Sequence, residues 1–232
     1  MVGTVLSSLL AALNLSVDWY EILSVLTKFP PFACIMGWEL PLEAGNHTGD
    51  WRPRMQEVKV RQENQSDAQA IAVVNQSAFG GVAEAQLVAV VRQSKSFIPE
   101  LSLVAEVGDR VAGHILLFHA HLERQGKQLE VLALAPMSVV PSQSHRGIGS
   151  TLLEAALTKA AGLGHKAIVV IGHPDYYRRF GFEHASKWGI RSSLPVPEDS
   201  ITAKELEPGA LDGGGLLVYP PEFTRLFKRS EE

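Results

Sequence analysis

Arg146, Gly147 and Gly149 form the group best equipped to do chemistry in this chain. An apolar strand ends at Val140, a polar turn closes on Arg146, Gly147, Ile148 and Gly149, and a helix-forming run starts at Ser150. Strand, glycine turn and helix start together make an anion site. The first turn of a helix has N–H groups without an intrahelical partner, and the macrodipole adds partial positive charge there. Glycines let a phosphate reach the backbone, since no Cβ stands in the way, and an adjacent arginine adds a charge-assisted hydrogen bond. The spacing therefore predicts a phosphate on Arg146, Gly147, Ile148, Gly149 and Ser150. Two common phosphate motifs are excluded. A Walker loop needs a Lys-Ser or Lys-Thr pair after its glycine, and a dinucleotide fingerprint needs glycine or alanine at residue 152, which is Leu152.

The flanking elements must hold these groups in place. Gln128 to Val140 reads as a long strand interrupted by Pro136, which cannot donate to a ladder, so a bulge or a splayed strand is predicted there. Splaying would free the backbone of Met137, Ser138 and Val139 to bond an extended ligand as if it were another strand. After the turn, Leu152, Leu153, Ala156, Leu157 and Ala160 form one helical stripe that Gly162 and Gly164 end. Lys166 to Ile171 is a nearly continuous apolar run, predicted to be a central strand covered on both faces. Gly172, His173 and Pro174 then turn the chain, a short helix is predicted over 175–179, and Phe180 to Phe182 begins another strand. Upstream, the pattern predicts a strand over 56–61, a helix from Asp67 ended by Gly80 and Gly81, a second helix over 83–93, and a hairpin of strands 101–107 and 110–120 around Gly108 and Asp109. Leu216 to Tyr219, after three glycines, is the last predicted strand.

A chain of 232 residues that is 46% hydrophobic can bury a full core, and a net charge of −4 argues against a general nucleic-acid binder. The single cysteine, Cys34, excludes an intrachain disulfide and any cysteine-based zinc pattern, which fits a reducing, cytoplasmic setting. Met1 to Val17 is apolar but has no basic flank, the first Lys or Arg being Lys28, and Ser7, Ser8, Asn14 and Ser16 interrupt it, so no membrane association is expected. Leu6, Leu9, Leu10, Leu13 and Val17 can share one helical face. With linker-like residues at 46–50, residues 1–54 read as an N-terminal extension and residues 55–232 as the functional domain.

Val139, Pro141, Arg146, Gly147, Ile148, Gly149, Ser150 and Leu153 resemble motif A of the GNAT N-acyltransferase superfamily. Tyr177, Gly181 and Phe182 match its second signature, a tyrosine four residues ahead of a Gly-Phe pair, and LAPMSVVP followed by GHPDYYRRFGF resembles the YhbS-like branch. One departure is Ser144, which stands where the loop is usually headed by glutamine or arginine, so Arg146 is expected to carry more of the phosphate. The resemblance implies an α/β fold of the α+β type: a mixed, mostly antiparallel central sheet splayed between its fourth and fifth strands, with helices on both faces. It implies acetyl-coenzyme A, or another short acyl-coenzyme A, as co-substrate, with no metal. The pyrophosphate would lie on residues 146 to 150, and the pantetheine arm on Met137, Ser138 and Val139.

In that reading Tyr177 is the proton donor. An ordinary phenol, with a pKa of roughly 10, keeps its proton at neutral pH and can give it to a departing thiolate; Tyr176 is the rival on another helix face. Candidate bases are Glu84, His119, His121 and Glu130, and the resemblance favours Glu84, whose helical region lines the acceptor side in this family. His119 and His121 share a strand face, but no third metal ligand is identifiable in the sequence, and solvent exposure on an edge strand is the expectation. The implied function is direct transfer of an acetyl group to a primary amine on a small molecule, peptide or protein, with no nucleic-acid or membrane partner and a homodimer left open. The alternatives are a non-catalytic acyl-coenzyme A sensor, or a protein that docks a partner through residues 1–54.

Overall fold

Two long hairpins of alternating apolar residues build the sheet. On the strand Arg110–Arg124, Leu116, Phe118, Ala120 and Leu122 enter one apolar cluster while Ile115 and Leu117 enter the other, so successive side chains feed opposite faces. The computed structural model describes residues 57–228. The expected N-terminal helix, the linker at 46–50, Cys34 and the tail beyond residue 228 lie outside the described residues.

The strands are β1 (Val58–Gln62), β2 (Phe97–Val107), β3 (Arg110–Arg124), β4 (Lys127–Val139), β5 (Ala167–Ile171), β6 (Glu183–His184), β7 (Ile190–Ser192), β8 (Ile201–Glu205) and β9 (Gly215–Val218). The helices are α1 (Ala68–Phe79), α2 (Ala83–Arg92), α3 (Ile148–Gly162), α4 (Pro174–Arg178) and α5 (Pro221–Lys228). Sheet order is β1-β2-β3-β4-β5-β8-β6, with β9 paired to both β3 and β7. Only β4–β5 and β7–β9 are parallel among these pairs. Ile71, Leu87, Val88, Val91 and Phe223 place α1, α2 and α5 on one face, and Ile148, Leu152, Leu153, Ala156 and Tyr177 place α3 and α4 on the other. The mixed sheet with helices on both faces is as expected. A single 3-10 turn over Gln65–Asp67 leads into α1 and is closed by a capping box, the Asp67 carboxylate accepting from the Asn64 amide at 2.8 Å while the Asn64 side chain accepts from the Ser66 amide at 2.9 Å.

The sheet forks where Pro136 predicted a break. β5 pairs with β4 only at Leu132, Ala133 and Leu134, whereas β4 stays on β3 as far as Val139. Ile115 lies opposite Met137 and Leu117 opposite Leu134, so Ala135 and Pro136 share Leu116 as their only counterpart: a bulge on β4. Other elements differ from the expectation. β2 starts at Phe97 and β3 runs to Arg124, joined to β4 by the left-handed pair Gln125 and Gly126. Beyond Phe182 the next strand is only two residues long, and β8, which the pattern did not reveal, lies between β5 and β6.

A polar cluster is buried beneath α2. Glu63 accepts from Arg92 Nε at 2.7 Å and Nη2 at 2.9 Å and from Ser102 Oγ at 2.7 Å, and Ser102 Oγ lies 3.1 Å from His114 Nε2. Burial pushes the Glu63 carboxyl up, but hydrogen bonds from His114, Arg92 and Ser102 outweigh it and hold the group down at about 2. Burial pushes the His114 imidazole down, against the pull of Glu63. Both folded-state values lie below the unfolded ones, so both groups stabilise the fold at neutral pH and lose that contribution as pH falls. The urea midpoint should begin to fall below about pH 6.5, where unfolded histidine charges, and fall again from about pH 4.5 downward as Glu63 is protonated in the unfolded chain. Glu63→Gln should flatten the second limb; an unchanged profile below pH ~4.5 would mean that Glu63 is not a stabilising ion.

Candidate active site

The turn before α3 is built to present bare amides. Gly147 is the N-cap in the left-handed region, φ 81°, and no side chain caps the helix. The first helical bond runs from the Thr151 amide to Gly147 O at 3.0 Å, which leaves the N–H groups of Ile148, Gly149 and Ser150 without an intrahelical acceptor. Ile148 is buried and anchors the turn in the core, while Arg146 and Gly147 are exposed. Gly113 on β3 lets the helix sit this close: a Cβ there would lie 2.9 Å from Leu152 Cδ1, 3.1 Å from Ser138 O and 3.2 Å from Ile148 Cγ2. Ser144, at the head of the loop, is extended and exposed; its neighbour Gln143 has a buried side-chain oxygen with no hydrogen-bond partner.

The fork lies beside this turn. The Val140 amide bonds Ala112 O at 2.8 Å, which fixes the phase of the ladder. With a period of two, Ser138 also turns its backbone groups toward β3, while Met137 and Val139 turn theirs toward the side that β5 has left. Their side chains pack on the α3 face. The site thus joins an uncapped helix N-terminus to an unpaired strand edge, complementary to a ligand that carries phosphate and an amide-bearing arm.

Tyr176 and Tyr177 stand on α4 just beyond the end of β5, their rings 5.2 Å apart and edge-on. Pro174 at the start of α4 and the turn at Gly172 bring them there. Tyr177 is 8% exposed and packs on Phe182, and a Cβ at residue 172 would lie 2.9 Å from its Cε2, so Gly172 makes the room its ring fills. Burial, with a smaller effect from Tyr176, pushes the Tyr177 phenol well above its ordinary value. It stays protonated at any working pH. Tyr176 points its hydroxyl at the phosphate turn, 2.9 Å from where a Cβ of residue 149 would lie, and Arg179 stacks over its ring at 4.7 Å. Burial pushes that phenol up, and a hydrogen bond to Ser150 on the turn partly offsets the shift. Arg178 pairs with Asp175 at 3.2 Å.

Of the candidate bases, His119, His121 and Glu130 lie together on β3 and β4, with Glu130 Oε1 3.1 Å from His119 Nδ1, while Glu84 stands on α2. Glu84 lies in the first turn of α2, half-buried, and burial raises its carboxyl pKa. His119 and His121 lie opposite Leu132 and Glu130, on the far side of the bulge from Met137 and Val139. The expectation of an edge strand is corrected: β3 is interior, bonded to β2 and β9 on one side and to β4 on the other. The sequence also gave no sign of a polar pair at the fork. Ser138 and His114 are cross-strand partners, and both the Ser138 hydroxyl and His114 Nδ1 are buried without a hydrogen-bond partner. A lone polar residue in an apolar strand carries no periodic signal. Only the register brings these two together.

Residues 59–185 match the family model described as an acetyltransferase (GNAT) domain. Among curated proteins, the chain is 34% identical over 137 residues to YjhQ of Escherichia coli (strain K12), covering 59% of this chain and 76% of that protein. It is 31% identical over 168 residues to YhbS of the same strain, covering 72% and 98%. Both relatives carry the description uncharacterized N-acetyltransferase. Among solved structures, YhbS from Escherichia coli in complex with CoA aligns with a TM-score of 0.67 at 29% identity, over 72% of this chain and 92% of that one. A GNAT family acetyltransferase from Brucella melitensis in complex with acetyl-CoA aligns with a TM-score of 0.59 at 28% identity, over 72% and 99%.

Proposed function

The chain belongs to the acetyltransferase (GNAT) family, and from that premise we propose that it transfers an acetyl group from acetyl-coenzyme A to a primary amine. The observation that carries this reading is the continuity of the uncapped α3 turn with the free edge of Met137 and Val139. The turn accepts the pyrophosphate on the amides of residues 146 to 150, with Arg146 as counter-ion. The edge pairs with the amides of the pantetheine arm through the backbone of Met137 and Val139; Ser138, expected beside them, is committed to β3 instead. The two related structures hold CoA and acetyl-CoA respectively, which supports the assignment.

The reaction is direct. The amine nitrogen attacks the thioester carbonyl, a C–N bond forms, the oxyanion is held by the Val139 N–H, and the C–S bond breaks as Tyr177 protonates the thiolate. Glu84 takes the amine proton; burial shifts its carboxyl upward, which makes it a stronger base than an exposed carboxylate. Much of the rate comes from alignment, since well-oriented reactants gain ~7 kcal/mol or more from proximity. The acceptor is an amine on a small molecule, peptide or protein, and catalysis resides in residues 55–232. No described helix is long and apolar enough to cross a membrane, and the chemistry suits a reducing cytoplasm.

Coenzyme A release from acetyl-coenzyme A, measured across a panel of amines, tests the reading. Amine-dependent release supports it, and tight coenzyme binding with no release for any amine would point to a sensor instead. Glu84→Gln should lower kcat about 10- to 100-fold and abolish the acidic limb of its pH profile. If that limb survives in Glu84→Gln, the base lies elsewhere.

A further inference from the structure

We infer that His119, Glu130 and His165 form a binding site for a divalent transition metal, Zn²⁺ by preference, at the end of the sheet remote from the fork. The three come from different elements: β3, β4 and the connection from α3 to β5. Glu130 Oε1 lies 3.1 Å from His119 Nδ1 and 3.7 Å from His165 Nδ1, and one ligand atom from each residue falls within 4.8 Å of the other two. The two imidazoles meet edge-on, centroids 5.6 Å apart, so both present a nitrogen to the carboxylate between them. From the sequence, His119 pairs with His121 on one strand face and lacks a third ligand; in the fold its neighbours are Glu130 and His165.

An ordinary ion pair accounts poorly for this arrangement. His119 Nδ1 is buried and makes no hydrogen bond, although the carboxylate oxygen is 3.1 Å away. The two groups are close, but not aligned as donor and acceptor. Around a tetrahedral zinc with bonds of about 2.0–2.2 Å, ligand atoms stand about 3.3 Å apart. The Glu130 contacts of 3.1 and 3.7 Å bracket that spacing. The imidazole nitrogens need to close by ~1.5 Å at most, within the reach of side chains that are 36% and 15% exposed. Two nitrogens and one carboxylate oxygen suit zinc, and nickel or cobalt in its place, whereas magnesium and calcium prefer oxygen alone. The setting also favours a cation. His165 follows the C-terminal end of α3, its amide bonded to Ala160 O at 3.1 Å, and the dipole there is negative. With Glu130 64% exposed, the fourth position is open to water. A bound ion would clamp the α3–β5 connection to the β3–β4 hairpin.

The test uses the full chain without an affinity tag, stripped with a chelator and titrated with ZnCl₂ by calorimetry and with CoCl₂ by visible absorption. The expected result is one ion per chain, an intense tetrahedral Co²⁺ band, and a higher melting temperature with Zn²⁺. His165→Ala and Glu130→Gln should each weaken Zn²⁺ at least about tenfold, while His121→Ala, on the same strand face but outside the cluster, should leave it unchanged. The far-ultraviolet spectrum of each variant confirms folding. No saturable binding, or binding that survives both cluster variants, or binding lost equally in His121→Ala, would overturn the assignment.

Discussion

Tyr177→Phe is expected to lower kcat about 100- to 1,000-fold while leaving the Kd for coenzyme A within about twofold of wild type. The replacement removes one oxygen and keeps the ring that packs on Phe182 and fills the space over Gly172. Binding energy and fold are therefore retained. What is lost is a phenol whose pKa burial has pushed up, so that in the wild type the proton is present at every working pH and, in the proposed mechanism, is available to the thiolate as the C–S bond breaks. Steady-state kinetics with direct coenzyme titration separates the two effects. Tyr176→Phe provides the comparison. Its hydroxyl faces Gly149 rather than Gly172, so its loss should act on coenzyme binding more than on turnover. A rate unchanged in Tyr177→Phe and strongly reduced in Tyr176→Phe would transfer the proton to Tyr176.

Gly149→Val is expected to show the opposite signature: coenzyme A affinity about 100-fold weaker, with kcat at saturating acetyl-coenzyme A within about tenfold. Residue 149 is helical and not left-handed, so the backbone accepts a side chain there. The space does not. A Cβ would meet Tyr176 Oη at 2.9 Å and Val139 Cγ2 at 3.8 Å, and the γ-methyls would cover the amides proposed to hold the phosphate. Hydrogen bonds to a charged group contribute roughly 1.5–3 kcal/mol each, so losing one or two gives a change of that size. Competition with adenosine 3′,5′-bisphosphate, which keeps a phosphate but lacks pantetheine, would show whether the loss is confined to the turn. Undiminished coenzyme affinity in Gly149→Val would place the pyrophosphate elsewhere.

What could be read in the sequence was what apolar periodicity and backbone-special residues mark. Pro136 marked the bulge, Gly108 the first hairpin, Gly147 and Gly149 the helix entry, and the run Ala167–Ile171 the central strand. β8 was hidden because its buried positions include Thr202 and Ala203, small or polar residues that supply little hydrophobic signal although both are almost wholly enclosed. Gly113 gave no turn signal, because its role is to make room for Leu152 and Ile148 on a helix that starts 35 residues later. His114, Ser102 and Glu63 lie on separate elements that only the β1–β2–β3 register brings together. The same holds for His165 beside His119. Spacing along a chain shows local geometry well and says nothing of which remote strand lies next to which.

The fork ends one ladder early, and this has a bearing on how the protein behaves when its coenzyme is scarce. Met137 and Val139 form a stretch of sheet edge in the middle of the molecule, open to any extended chain that can enter. In the proposed binding mode the pantetheine arm would complete the sheet as its missing strand. On that reading, coenzyme binding would cover an edge that is otherwise free to pair. Solubility and amide exchange at that edge, as well as catalysis, should then follow the supply of coenzyme A, with the apparent stability rising by RT ln(1 + [coenzyme]/Kd).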